Sequence, residues 1–130
     1  KRDWSSDVCS SDLESCGLRV DCCDWLSWHG RAELVIANPP YEHGAEGTHL
    51  WHALETAPRV VAIVRMQALA SMRRWEALWA RCHLSRMAIC VRRPAFSSAG
   101  GGTFEVVVVE LVRGSHDQSP TRIEWWTDEW

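Results

Sequence analysis

Glu33-Leu34-Val35-Ile36-Ala37-Asn38-Pro39-Pro40-Tyr41 decides how this chain is read. Leu34 to Ala37 is a short apolar run with two β-branched residues, which predicts a buried strand. The proline pair then stops it. Each proline lacks a backbone donor, and the residue before a proline is pushed out of the helical region, so ladder and helix both fail there. The result is a rigid, extended turn at the carboxyl end of a strand, where open α/β sheets place their ligands. Asn38 offers an amide that both donates and accepts, Pro39 a carbonyl of fixed direction, and Tyr41 a flat aromatic face. Together they suit a planar amine held by its hydrogens and stacked on its ring. Taken alone, the four residues are also compatible with a turn that carries no chemistry.

Asn38, Pro39, Pro40 and Tyr41 resemble the Asn/Asp-Pro-Pro-Tyr/Phe/Trp motif of the S-adenosylmethionine-dependent amino-methyltransferases, most closely the DNA adenine-N6 enzymes. The resemblance implies that the Asn38 side chain and the Pro39 carbonyl accept hydrogen bonds from the target amine. It implies that Tyr41 stacks on an adenine flipped out of the duplex, since the target atom is otherwise inside the base stack. Upstream, Asp24-Trp25-Leu26 resembles the family's acidic-aromatic motif, in which the acid meets the adenine of the cofactor and its neighbours pack on the ring. One short connection and one strand separate it from Asn38, as in the family. Trp25 and Trp28 also suit simple packing.

Other readings remain open from the sequence. Enzymes that methylate a glutamine side-chain amide share Asn-Pro-Pro-Tyr but continue differently after the tyrosine, unlike Glu42-His43-Gly44. Ribosomal-RNA guanine methyltransferases usually carry Phe at the Tyr41 position. A non-catalytic fragment or degenerate subunit is a reading from another class.

The rest of the chain predicts an α/β fold, and its order of elements resembles part of a class I methyltransferase (Rossmann-like) sheet with a C-terminal antiparallel strand pair. Strands are expected at Leu18–Cys23, Arg59–Arg65, Arg86–Arg93 and Thr103–Arg113. Helices are expected at Thr48–Ala57, capped by Thr48, and at Ser71–Cys82, with Met72, Trp75, Trp79 and Cys82 on one face. Pro94 to Gly102 reads as the turn of a long hairpin. Val106–Val109 is apolar on both faces and should be central rather than an edge. The resemblance spans residues 14–113, while 114–130 is a Trp-rich acidic tail that carries no motif and is left to dock on the sheet or meet a partner.

The family's glycine-rich cofactor turn has no counterpart upstream of Asp24, where Gly17 stands alone. Residues 1–13, from Asp3-Trp4-Ser5-Ser6-Asp7 onward, resemble a translated sequencing-library adapter and are set aside. The expectation is a C-terminal methyltransferase piece that binds S-adenosylmethionine weakly or not at all.

Net charge is −3 at pH 7, so charge alone does not mark a nucleic-acid binder. Its distribution is uneven. Seven Arg and one acid lie between Arg65 and Arg93, whereas residues 105–130 carry six acids and two Arg. Arg73, Arg74, Arg92 and Arg93 are candidate phosphate contacts on a DNA substrate; an ordinary solvated helix face explains them equally well. The six cysteines show no C-x-x-C pairing and suit reduced, mostly buried thiols of a cytoplasmic protein. His43, His49, His52 and Glu46 form one cluster worth weighing for a metal, but methyl transfer of this kind needs none, and no metal is expected. No apolar stretch approaches a membrane span. Oligomeric state and DNA target sequence are not legible.

Overall fold

A computed structural model describes residues 15–17, 19, 23–41, 44–70, 72–91, 105–114 and 119–127, without the side chains of 74 and 75. Five strands form one mixed sheet: β1 (Leu34–Ala37), β2 (Arg59–Arg65), β3 (Cys82–Cys90), β4 (Val106–Arg113) and β5 (Arg122–Trp126), in the order β1-β2-β4-β3-β5. Helix α1 (Ala45–Thr56) links the parallel pair β1 and β2, and the shorter α2 (Met72–Ala77) precedes β3. This is a mixed α/β fold. Among the described residues no helix is long and apolar enough to cross a membrane.

Strict alternation builds the core. Val60, Ala62 and Val64 of β2 and Val107, Val109 and Leu111 of β4 are fully buried on one face of the sheet. They meet Leu50, Ala53 and Leu54 of α1, with Leu78 and Trp79 closing the same cluster. β4 is central as expected, antiparallel to β2 on one side and to β3 on the other. Its run of four valines suits a strand covered along both edges, because no edge is left to pair with another chain.

The opposite face is charged at its rim. Arg59 reaches Glu110 at 2.6 Å and Arg86 reaches Glu124 at 2.6 Å. Both arginines are more than half exposed, so these pairs add little stability. The Arg59 guanidinium, the main cause, and the Ser85 hydroxyl hold the Glu110 carboxyl below the usual carboxylate range against the opposing pull of burial.

Several expected boundaries move, each for a physical reason. α1 begins at Ala45, a turn before Thr48, because Gly44 adopts φ 79°, a left-handed conformation that costs glycine little. Glu46 then sits in the first turn, where a negative charge complements the helix dipole. The helix expected over Ser71–Cys82 ends at Ala77. Leu78 departs from helical geometry (φ −130°, ψ −63°), a 3-10 turn spans Trp79–Arg81, and Cys82 already opens β3 opposite Arg113. The supposed helical stripe divides accordingly: Met72 is 71 % exposed, while Trp79 is buried with its indole N–H donating to the Ala68 carbonyl.

β3 also begins four residues before Arg86. Ser85 is an extra residue between Leu84 and Arg86, and its hydroxyl donates to the Glu110 carbonyl at 3.2 Å. Such a bulge reverses the inward–outward alternation and hides the first half of the strand from a period-two reading. The turn expected over Pro94–Gly102 lies outside the described residues, as do most of Leu18–Cys23 and all of 1–13; Arg19 and Cys23 are described and are not in a strand. Part of the tail docks: β5 pairs in parallel with β3, from Arg86↔Arg122 to Cys90↔Trp126. Cys16 and Cys23, expected inside, are exposed.

Cys82 is 2 % exposed, and its thiol donates to the Leu78 carbonyl. Burial pushes this thiol up from 9.0 to about 11. Above pH 9 the unfolded chain releases the proton while the folded chain keeps it, so the contribution is intact below pH 9 and lost as pH climbs through about 11. The expected loss is about 2–3 kcal/mol. Denaturant titrations of the wild type and Cys82→Ala at pH 8 and pH 11 should show a clearly smaller drop in the variant. Equal drops would show that Cys82 titrates as in the unfolded chain.

Candidate functional site

β1 ends at Ala37, in register with Ala62, so β2 runs on through Ile63 and Val64 to Arg65. The Asn38-Pro39-Pro40-Tyr41 turn therefore leaves the sheet beside the projecting end of β2. Pro39 is buried, Tyr41 is half-buried and Asn38 is exposed. The Tyr41 hydroxyl donates to the Asn38 side-chain oxygen at 3.0 Å. An amide oxygen has two lone pairs, so Asn38 keeps acceptor capacity for a second donor while its orientation is held by the first.

A groove of about 380 Å³ opens along this turn, lined by Trp25, Val35, Ile36, Ala37, Asn38, Pro39, Pro40 and His49. Trp25 arrives from a 3-10 turn, Trp25–Ser27, whose first amides are held by Asp24. The Asp24 carboxylate accepts from the Leu26 N–H at 3.3 Å, and its backbone carbonyl accepts from the Ser27 hydroxyl at 2.8 Å. The turn is fastened to α1 through rings. Trp25 stacks on Trp28 at 5.7 Å and meets the edge of His52 at 4.9 Å, while His52 Nε2–H donates to the Trp28 carbonyl at 2.9 Å. Of the three residues Asp24, Trp25 and Leu26, Trp25 alone lines the groove; Asp24 is exposed and engaged as the cap of its turn.

Behind Tyr41 lies an ion pair. Glu46, 2 % exposed, accepts from Arg65 through both carboxylate oxygens: Nη2 at 2.7 Å, Nε at 3.2 Å and the backbone N–H at 3.4 Å. The Arg65 guanidinium carbon stands 5.5 Å from the centre of the Tyr41 ring. Burial, then the Glu46 charge, raise the Tyr41 phenol above its ordinary value, while Arg65 opposes them. The phenol is accordingly a neutral hydrogen-bond donor at physiological pH.

The solved structures to which the chain is similar include the crystal structure of the M protein (EC 2.1.1.72) of the type I restriction enzyme EcoKI. That match has a TM-score of 0.53 and 17 % identity, over 67 % of this chain and 22 % of that one. The likeness is one of fold. It relates the mixed sheet to part of that protein's fold, and the chain spans about a fifth of that protein's length. No protein-family model and no curated protein matches the chain.

The remaining candidates scatter over the fold. Arg73 is exposed and lines a second cleft of about 440 Å³ with Gly44, Gly47 and Thr48 at the start of α1. The side chain of Arg74, and Arg92 and Arg93 altogether, lie outside the described residues. His49 Nδ1–H donates to the Ala45 carbonyl at 2.9 Å, His52 serves Trp28 and Glu46 serves Arg65, so these three members of the weighed cluster have separate partners. His43 is outside the described residues. Among the described residues no three metal-ligating side chains converge.

Sequence reasoning missed the groove role of His49 and the pairing of Glu46 with Arg65. His49 was legible as a neighbour of the motif. The Glu46–Arg65 pair spans nineteen residues and depends on how α1 docks, which no local pattern reports.

Proposed function

We propose that this chain carries the amine-orienting part of an S-adenosylmethionine-dependent methyltransferase, and that the amine is the exocyclic amine of adenine in DNA. The observation that carries the reading is the Tyr41–Asn38 hydrogen bond at the mouth of a groove walled by Trp25, at the carboxyl end of a parallel strand. The methyltransferase-like fold supports it.

Trp25 with Val35 and Ile36 gives an aromatic and apolar wall that fits a flat ring. No carboxylate and no Lys or Arg lines that groove, so the ribose hydroxyls and the amino-acid end of the cofactor find no charged partner there. The fit is to the ring alone. Of the cofactor-binding candidates, Trp25 and Asn38 line the groove and would meet the ring, while Asp24 and Leu26 stand outside its lining. S-adenosylmethionine, when bound, supplies an activated methyl group.

The chain's own part is orientation. Asn38 Oδ1 and the Pro39 carbonyl accept the two amine hydrogens, which aims the nitrogen lone pair away from the protein and toward the donor. Both acceptors also stabilise the positive charge that develops on nitrogen as the bond forms. Tyr41 offers a face for the base, a contact worth roughly 1–3 kcal/mol in other base–aromatic pairs. Arg73, Arg74, Arg92 and Arg93 are proposed to meet phosphates.

Residues 14–130 should show no micromolar affinity for S-adenosylmethionine in a calorimetric titration; micromolar binding would remove the claim that the cofactor site is incomplete here. Joined to an upstream cofactor-binding segment, the same residues should transfer labelled methyl groups to the N6 position of adenine. Label on guanine or on a protein amide would reassign the substrate.

A further inference from the structure

We infer that Glu46 and Arg65 form a clamp that sets the plane of the Tyr41 ring, making both positioning residues for the base that Tyr41 is proposed to receive. The base itself rests on the proposed function; the clamp rests on geometry alone.

Glu46 is one of two buried polar or charged residues among those described, and burying a carboxylate is costly unless it is fully paired. Here it is paired by a two-pronged guanidinium contact and by the Arg65 backbone N–H. An ion pair serving only stability is a weak choice for such a place, because apolar residues of similar size usually do as well or better. What apolar residues cannot do is hold a flat cation at a defined height over a ring. The Glu46 fork fixes the guanidinium, the guanidinium lies 5.5 Å from the Tyr41 ring centre, and the ring's hydroxyl is tied to Asn38 at 3.0 Å. Tyr41 is thereby held at two points, by its face and by its hydroxyl. A ring held in this way loses less freedom when a second flat group stacks on its other face, so stacking on it becomes tighter.

The register explains why Arg65 is the residue involved. β2 overshoots β1, and Arg65 is its last residue, level with the turn rather than with the strand. Glu46 reaches it because the helix starts early, at Ala45. Shifting α1 to begin at Thr48 would remove the partner.

Tyr41 is the single tyrosine of the chain, so ring-labelled tyrosine gives one set of NMR signals. The test compares the 130-residue wild type with Glu46→Gln, Arg65→Gln and the paired apolar replacement Glu46→Leu/Arg65→Met. The paired replacement is included because it should keep the fold even where a lone partner would leave a buried charge. In the wild type the ring signals should be displaced from those of free tyrosine, with cross-relaxation to the Arg65 side chain. Both features should disappear in the paired replacement. Each single variant should change the ring as much as the pair does, since the two residues act as one unit.

A second readout uses a short single strand carrying 2-aminopurine, which needs no base flipping. Quenching by the wild type should be lost in Tyr41→Ala, and the paired replacement should weaken binding about fivefold, on the scale of one cation–π contact. Ring signals unchanged in a folded paired replacement would overturn the clamp whatever the oligonucleotide does. If the ring responds as expected but wild type and Tyr41→Ala quench alike, the clamp stands and the base-stacking reading falls.

Discussion

Replacing Asn38 by alanine should lower methyl-transfer turnover by about 10²–10³-fold, the scale seen when one preorganised polar partner of a developing charge is removed. Cofactor affinity should change by no more than about twofold, because Asn38 is only one of eight residues along the groove and Trp25 remains. The separation of these effects is the informative part. An acceptor that matters only as nitrogen becomes positive affects the chemical step and hardly touches ground-state binding. Tyr41→Phe isolates a smaller contribution. It keeps the aromatic face and removes the hydroxyl that donates to Asn38, so the amide is still present but no longer held. A loss of about three- to tenfold is expected, the worth of one neutral hydrogen bond. The measurement is single-turnover transfer, with cofactor binding by calorimetry, in a polypeptide that joins residues 14–130 to a cofactor-binding segment. Unchanged turnover in Asn38→Ala would remove its assigned role.

Val109→Asp should prevent folding altogether. Val109 is fully buried in the central strand, opposite Ala62 on β2 and Met87 on β3, so a carboxylate there is cut off from water with an apolar neighbour on each side. An unpaired buried charge costs several kcal/mol, comparable to the whole stability of a small domain. Leu111→Ala, also fully buried, should leave a folded protein weakened by about 2–5 kcal/mol. Circular dichroism and denaturant titration distinguish the two outcomes. A folded Val109→Asp would show that β4 is not the centre of the core.

Much of the fold was legible because the signals were local. Leu34 to Ala37 before a proline pair, the apolar run within Arg59–Arg65 and the four valines of β4 each announce a strand through a few neighbouring residues. β1, expected to be buried, is nevertheless an edge strand with Leu34 and Ile36 exposed, because one of its sides has no neighbour among the described residues. The motif turn was legible for the same reason, since proline chemistry acts on adjacent bonds. The second helix misled, because Trp75, Trp79 and Cys82 match a helical period while the chain leaves the helix at Leu78. There, burying Leu78 and Trp79 and pairing Cys82 with Arg113 outweigh the modest intrinsic preference of a short helix. Ser85 concealed half of β3, as a bulge always inverts the pattern that period-two reading relies on.

By itself, then, the sequence determined the segments that form β1, β2 and β4, the rigid Asn38–Tyr41 turn and the chemical types of its groups, because backbone sterics and apolar runs act over a few residues. The tertiary structure decided which groups meet. It brought Trp25 to Asn38, Tyr41 to the Asn38 oxygen, Arg65 to Tyr41 and Glu46 to Arg65, and it placed β5 on β3. Those pairings depend on strand register and on how α1 docks, both set by the burial of residues far apart in the chain.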